Sequence, residues 1–130
     1  MSMLPGGEQG MARNTVRFTV DLMIGEGKLD AFEGTAQAMV AGSRKESGTL
    51  GYEWFLSGDR RRCRLLETFS DANAVFTHLT GPVVRELVPK LLETAQITRF
   101  EVYGDPGPKA AEMLAGFGAE IFHVRHGLSR

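Results

Sequence analysis

The chain has 130 residues, enough for one domain that buries its own core. Hydrophobic residues make up 42% and charged residues 24%, ordinary globular values that exclude a disordered or fibrous protein. Its 15 Lys and Arg against 16 Asp and Glu leave a net charge of -1, so no global field draws it to nucleic acid, and small-molecule chemistry is the natural expectation. Cys63 is the lone cysteine; it can form no internal disulfide and cannot by itself hold zinc, which suits a reducing cytoplasm. No apolar run approaches a membrane span. Met1 to Gly7 lacks the basic start and apolar centre of a signal peptide, so a cytoplasmic location is expected. Met11-Ala12-Arg13 also reads as a natural start, and residues 1–12 are taken as an N-terminal extension outside the fold.

Val16, Phe18, Val20 and Leu22 share one parity ahead of Gly25-Glu26-Gly27, which predicts a first strand over Val16–Ile24. Leu29, Phe32, Ala36, Met39 and Val40 then recur at three- and four-residue spacings, one apolar stripe on a helix that Gly48 is expected to end. Residues 50–57 and 62–69 flank Gly58-Asp59-Arg60-Arg61, a polar turn of hairpin length. Symmetry about Asp59 and Arg60 makes opposed residue numbers sum to 119, so Tyr52 faces Glu67, Trp54 faces Leu65 and Leu56 faces Cys63. A one-residue slip in the turn would move one strand's set to the other face.

Ser70 is the expected N-cap of a short helix, with Asp71 in its first turn and Ala72, Val75, Phe76 and Leu79 on its buried side. Gly81-Pro82 ends that helix and starts another, whose stripe of Val83, Val84, Leu87, Val88, Leu91 and Leu92 is interrupted by a kink at Pro89. Residues 97–103 form the fourth strand. Gly104-Asp105-Pro106-Gly107-Pro108 is a break, followed by a helical run over residues 109–114, a Gly116-Phe117-Gly118 turn and a strand-like piece over 120–125. That last strand is expected to add to a sheet edge, its own or a partner's.

The order β-α-β-β-α-β is the ferredoxin-like α+β arrangement with an antiparallel sheet. It covers residues 13–104, with residues 105–130 as an extension packing on the same domain or on a dimer partner. Helices cover only one face of such a sheet, yet Tyr52, Trp54, Phe55, Leu65, Leu66, Phe100 and Val102 place large apolar residues on both parities, so the second face calls for a partner.

The most informative stretch runs Glu46-Ser47-Gly48-Thr49-Leu50-Gly51-Tyr52 into an alternating strand. A tight polar turn follows, then a second strand ending Leu65-Leu66-Glu67-Thr68-Phe69, and a capped helix carrying His78. This pattern resembles the antibiotic biosynthesis monooxygenase domain, a family of small dimeric α+β barrels. The resemblance covers about residues 16–103 and implies a homodimer in which two sheets pack face to face.

His78 borders the inner stripe of its helix, where it either fills space at a helix end or serves as acid, base or hydrogen-bond donor. Glu67 stands in an otherwise apolar strand and must be paired, solvated or protonated, with the Tyr52 hydroxyl across from it as a donor. Trp54 offers either a flat wall for a ring or packing for a dimer core, and Phe76 a further apolar wall. The resemblance places a recurring histidine at His78 and a glutamate at Glu67. It aligns Asp21 with an active-site asparagine of some members, which makes Asp21 a candidate for substrate contact. Arg60, Arg61, Arg62 and Arg64 read as a solvated turn, and His123 and His126 fall on opposite faces of a strand, so no metal pair is expected. No phosphate loop, nucleophile elbow or dinucleotide fingerprint is present in the sequence.

What the resemblance implies is a cofactor-independent monooxygenase acting on a small aromatic, quinol- or phenol-like substrate, needing no metal or flavin. His78, Glu67 and Tyr52 would be its catalytic group, and Trp54, Asp21 and Phe76 would contact the substrate. A non-catalytic dimer that binds a small ligand is the alternative. A haem-degrading monooxygenase ranks lower, because the haem-ligating histidine of those enzymes belongs where this chain has Leu87, Val88 and Pro89.

Overall fold

The computed structural model describes residues 14–128 and 130. Strand β1 (Val16–Ile24) is followed by helix α1 (Leu29–Ser43), the hairpin of β2 (Thr49–Leu56) and β3 (Arg62–Phe69), and helix α2 (Ala72–Thr80). A π-turn at Val83–Leu87 leads into helix α3 (Val88–Leu92), then strand β4 (Ala95–Tyr103), helix α4 (Pro108–Ala115) and the short strand β5 (Glu120–Phe122). The strands lie in the order β2-β3-β1-β4-β5, the ferredoxin-like order with one strand added. Among the described residues, no helix is long and apolar enough to cross a membrane.

Alternation along β1 places Val16, Phe18, Val20, Leu22 and Ile24 beneath the helices. Phe32, Ala36 and Met39 from α1 meet them, as do Val75 and Leu79 from α2 and Leu91 from α3. The hairpin has the predicted register, with Tyr52 opposite Glu67, Trp54 opposite Leu65 and Leu56 opposite Cys63. Hydrogen bonds close its turn: Ser57 N–H donates to the Arg62 carbonyl, and Asp59 Oδ1 accepts from Ser57 Oγ and Arg61 N.

Several local expectations are corrected. Helix α1 ends at Ser43 with Arg44 as its C-cap, and residues 44–48 form a loop before β2. The N-cap of α2 is Asp71, whose extended backbone lets its carboxylate accept from the Ala74 N–H at 2.9 Å; Ser70 stands one residue outside. Pro89 stands where the winding of the helical run changes. It sits in the first turn of α3, where its missing N–H removes no helical hydrogen bond, and the preceding residues wind as a π-turn.

The last strand is shorter than expected. It pairs in parallel with β4 of its own chain, Val102 against Ile121, so the sheet is mixed rather than wholly antiparallel. Ala110 and Leu114 of α4 are fully buried and anchor this tail.

The two sheet faces differ more than the apolar count suggests. Tyr52, Trp54, Leu65, Phe100 and Val102 all lie on the helix-covered face, leaving Phe55 and Leu66 on the other. That outer face carries the Arg64–Asp21 ion pair at 2.7 Å and Glu101, which accepts from Arg99 and from the Tyr103 hydroxyl. Pleating sends alternate residues of β4 outward, and those residues are Arg99, Glu101 and Tyr103.

Candidate active site

His78, in the last turn of α2, is only 3% exposed, and its imidazole lies between two carboxylates. Nδ1–H donates to Glu46 Oε1 at 2.8 Å. On the other side, Nε2 lies 3.3 Å from Glu67 Oε1, a distance for ion pairing without hydrogen-bond alignment. The ring packs between Tyr52 and Phe69, with centroid separations of 5.5 and 5.1 Å. Burial alone would lower the basicity of His78. Its hydrogen bond to Glu46 and the nearby charges of Glu67 and Glu46 prevail and raise its pKa to about 9, so at neutral pH it is an imidazolium.

Glu67 projects from the middle of β3 toward the helices and is 5% exposed. Among the described residues its Oε1 accepts no aligned hydrogen bond, although the His78 Nε2 faces it at 3.3 Å, and that is costly for a buried carboxylate oxygen. Tyr52, across the hairpin, is held in its protonated phenol form by burial and by the Glu67 charge. Glu46 approaches from the loop after α1. Burial would raise its pKa, but the hydrogen bond and charge of His78 hold it below the usual carboxylate range. Thr49 Oγ1 donates to the same Glu46 oxygen at 2.8 Å.

Three of these groups border a partly open cavity of about 50 Å³ between sheet and helices. His78, Glu67 and Tyr52 supply its polar wall; Phe18, Leu65, Val84, Leu91 and Phe100 are among its apolar lining. Tyr52 also borders a larger, open cleft of about 370 Å³ beneath α1, where Phe32, Ala36, Val40 and Trp54 form the walls. Trp54 thus belongs to the outer cleft. Its Nε1 is buried and unpaired.

The structure sets His78, Glu67 and Tyr52 on one cavity and Trp54 beside Tyr52 in the outer cleft, and it separates two other residues from them. Asp21 points from the opposite face of the sheet, where Arg64 grips both its carboxylate oxygens at 2.7 and 3.1 Å. Its odd position in β1, between Val20 and Leu22, determines this, because the inward residues of that strand are the even-numbered ones. Phe76 is 38% exposed, with the Lys109 ammonium 5.9 Å above its ring, and lines neither cavity. It lies one residue beyond Val75, on the outer side of α2.

The sequence profile described as antibiotic biosynthesis monooxygenase matches residues 15–90, more than half of the chain. The chain belongs to this family. No curated protein matches it at a significant level. Among solved structures it is similar to MupZ from Pseudomonas fluorescens, with 26% identity and a TM-score of 0.75 over 90% of this chain and 95% of that one. It is similar in fold to Rv0793 from Mycobacterium tuberculosis, with 21% identity and a TM-score of 0.62 over 72% and 97% of the two chains. SnoaB from Streptomyces nogalater, described as a cofactor-independent oxygenase, shares the fold at 14% identity and a TM-score of 0.63, over 73% and 96%.

Within the family match lies one site residue that sequence reasoning missed, Glu46. It stands 32 positions before His78 in a loop with no periodic pattern, so only tertiary packing brings the two together.

Proposed function

We propose that the chain is a cofactor-independent monooxygenase in which Glu67 is the general base for a small, electron-rich aromatic substrate. The observation that carries this reading is the buried Glu67 carboxylate on the wall of an apolar cavity, whose Oε1 accepts no aligned hydrogen bond among the described residues. Nearby, His78 is already protonated and is therefore no base at neutral pH. Membership of the antibiotic biosynthesis monooxygenase family, and the likeness to the cofactor-independent oxygenase SnoaB, support the reaction class.

In this reading Glu67 takes the proton of a phenol or quinol, and the His78 imidazolium and Tyr52 hydroxyl stabilise the resulting anion. The anion passes electrons to molecular oxygen. The O–O bond breaks: one oxygen atom replaces hydrogen at a ring carbon and becomes a carbonyl, and the other leaves as water, so a phenol becomes a quinone and the substrate supplies all four electrons and both hydrogens of the water. The cavity at Glu67 has room for a few waters, so it would take only the reacting end. The remainder of the substrate would lie in the outer cleft against Trp54, past Tyr52, which borders both spaces. The partner is a second copy of the chain, meeting the first through the outer face at Phe55 and Leu66.

Oxygen uptake with a panel of quinols and dihydroxynaphthalenes, run on the wild type and on Glu67→Gln, tests the proposal. Uptake that falls by about 100-fold or more in the variant is expected. Uptake unaffected by the variant removes Glu67 as the base. Saturable binding with no uptake by the wild type points instead to a ligand-binding protein.

A further inference from the structure

We propose that Glu46 is the positioning residue of this site: through Nδ1 it holds the His78 ring in one orientation, with Nε2 toward Glu67, so that Glu67 is left as the base facing the cavity. The proposal rests on the reading of Glu67 given above and adds a residue outside the cavity to it.

The geometry is that of a braced carboxylate. One oxygen of Glu46 accepts both the His78 Nδ1–H and the Thr49 hydroxyl, each at 2.8 Å. The Glu46 backbone is tied on both sides, its N–H to the Ser43 carbonyl at 3.0 Å and its carbonyl to the Thr49 N–H at 3.1 Å. The loop is pressed onto α2 at Gly48, where an added Cβ would lie 2.5 Å from that of Ala74. The Glu46 side chain is 12% exposed, against 5% for Glu67 and 3% for His78, so the three charged groups run from the solvent edge inward.

A neutral imidazole in this position would turn a lone pair toward one of its two carboxylates. The imidazolium presents an N–H to each. The ionisable groups set against the ring are Glu46 from the loop, Glu67 from β3 and Tyr52 from β2, and the Phe69 ring closes another side. Glu46 takes up the Nδ1 side of the ring, and the Nε2 side faces Glu67 on the cavity wall. Without Glu46 the imidazole would lose one charge partner and the acceptor that fixes its tautomer. A neutral His78 would then compete with Glu67 for the substrate proton.

The test follows the ring nitrogens of ¹⁵N-histidine-labelled protein by NMR across pH, beside the pH profile of oxygen uptake, in wild type, Glu46→Gln and Glu46→Asp. His123 and His126 serve as references in the same spectra. The His78 titration is expected to fall by at least one pH unit in Glu46→Gln and to be largely restored in Glu46→Asp. The basic limb of the kcat profile should move down by the same interval. A His78 titration unmoved in Glu46→Gln overturns the proposal, as does a moved titration with an unmoved profile. If the titration shifts and no substrate is turned over, Glu46 positions His78 as stated and the monooxygenase reading is what fails. Should Glu46→Gln not fold, Thr49→Val removes only the bracing hydroxyl. It is expected to lower the His78 titration by a smaller step, and no step would overturn the proposal.

Discussion

At the residue scale, the imidazolium of His78 lies between the Glu46 and Glu67 carboxylates, all three largely buried, where an unpaired charge is costly. Replacing it with alanine leaves both without a countercharge, and a loss of about 3–5 kcal/mol in urea unfolding is expected. The same coupling sets a pH dependence. His78 has a folded pKa of about 9 against the ordinary histidine value of 6.5, so the stability it contributes is fully present below about pH 6.5. That contribution, on the order of 3 kcal/mol, should be lost as pH rises toward 9, read as a falling urea midpoint that His78→Ala no longer shows. Glu46, with its lowered folded pKa, contributes in the opposite sense: its share is present above about pH 4.5 and lost as pH falls through the depressed value.

At the scale of elements, the site depends on how closely the loop after α1 approaches α2. Gly48 permits that approach, and the Ser70 N–H donates to its carbonyl at 2.9 Å. Gly48→Ala should cost about 1–3 kcal/mol through overpacking. It should also displace Glu46, so the His78 titration falls together with the melting temperature. Asp71→Ala at the N-cap of α2 is expected to cost about 1 kcal/mol while leaving that titration in place, because the cap lies at the far end of the helix from His78. The hairpin register was legible because a short polar turn and alternating strands determine which residues face each other. The end of α1, the cap of α2 and the π-turn before Pro89 were not, since neighbouring polar residues offer caps of similar local energy and packing chooses among them.

At the scale of the molecule, the outer sheet face exposes Phe55, Met23, Tyr103 and Phe122 beside an ionic network. On the proposed dimer, sedimentation should give a species of about twice the 14.2 kDa chain mass, and Leu66→Glu should shift it toward the monomer. A wild-type monomer at micromolar concentration would remove the dimer from the proposal. The C-terminal tail is part of the same body. Its β5 covers the edge of β4, and α4 buries Leu114 completely. Truncation after Tyr103 is therefore expected to expose a sheet edge and core surface and to cause aggregation on purification.

Periodicity and turn spacing in the sequence alone determined the β-α-β-β-α-β order, the Tyr52–Glu67 pairing and the inward setting of His78. Each follows from contacts made within one element or between neighbours along the chain. The parity of β1 already set Asp21 on the other face from Val20 and Leu22; only the tertiary structure decided that Phe76 is solvated and that Glu46 completes the charge arrangement. Those outcomes depend on which face of a sheet or helix is covered and on contacts between segments distant in sequence. The physical reason is that local pattern specifies a residue's direction within its element, whereas the packing of several elements specifies what it meets there.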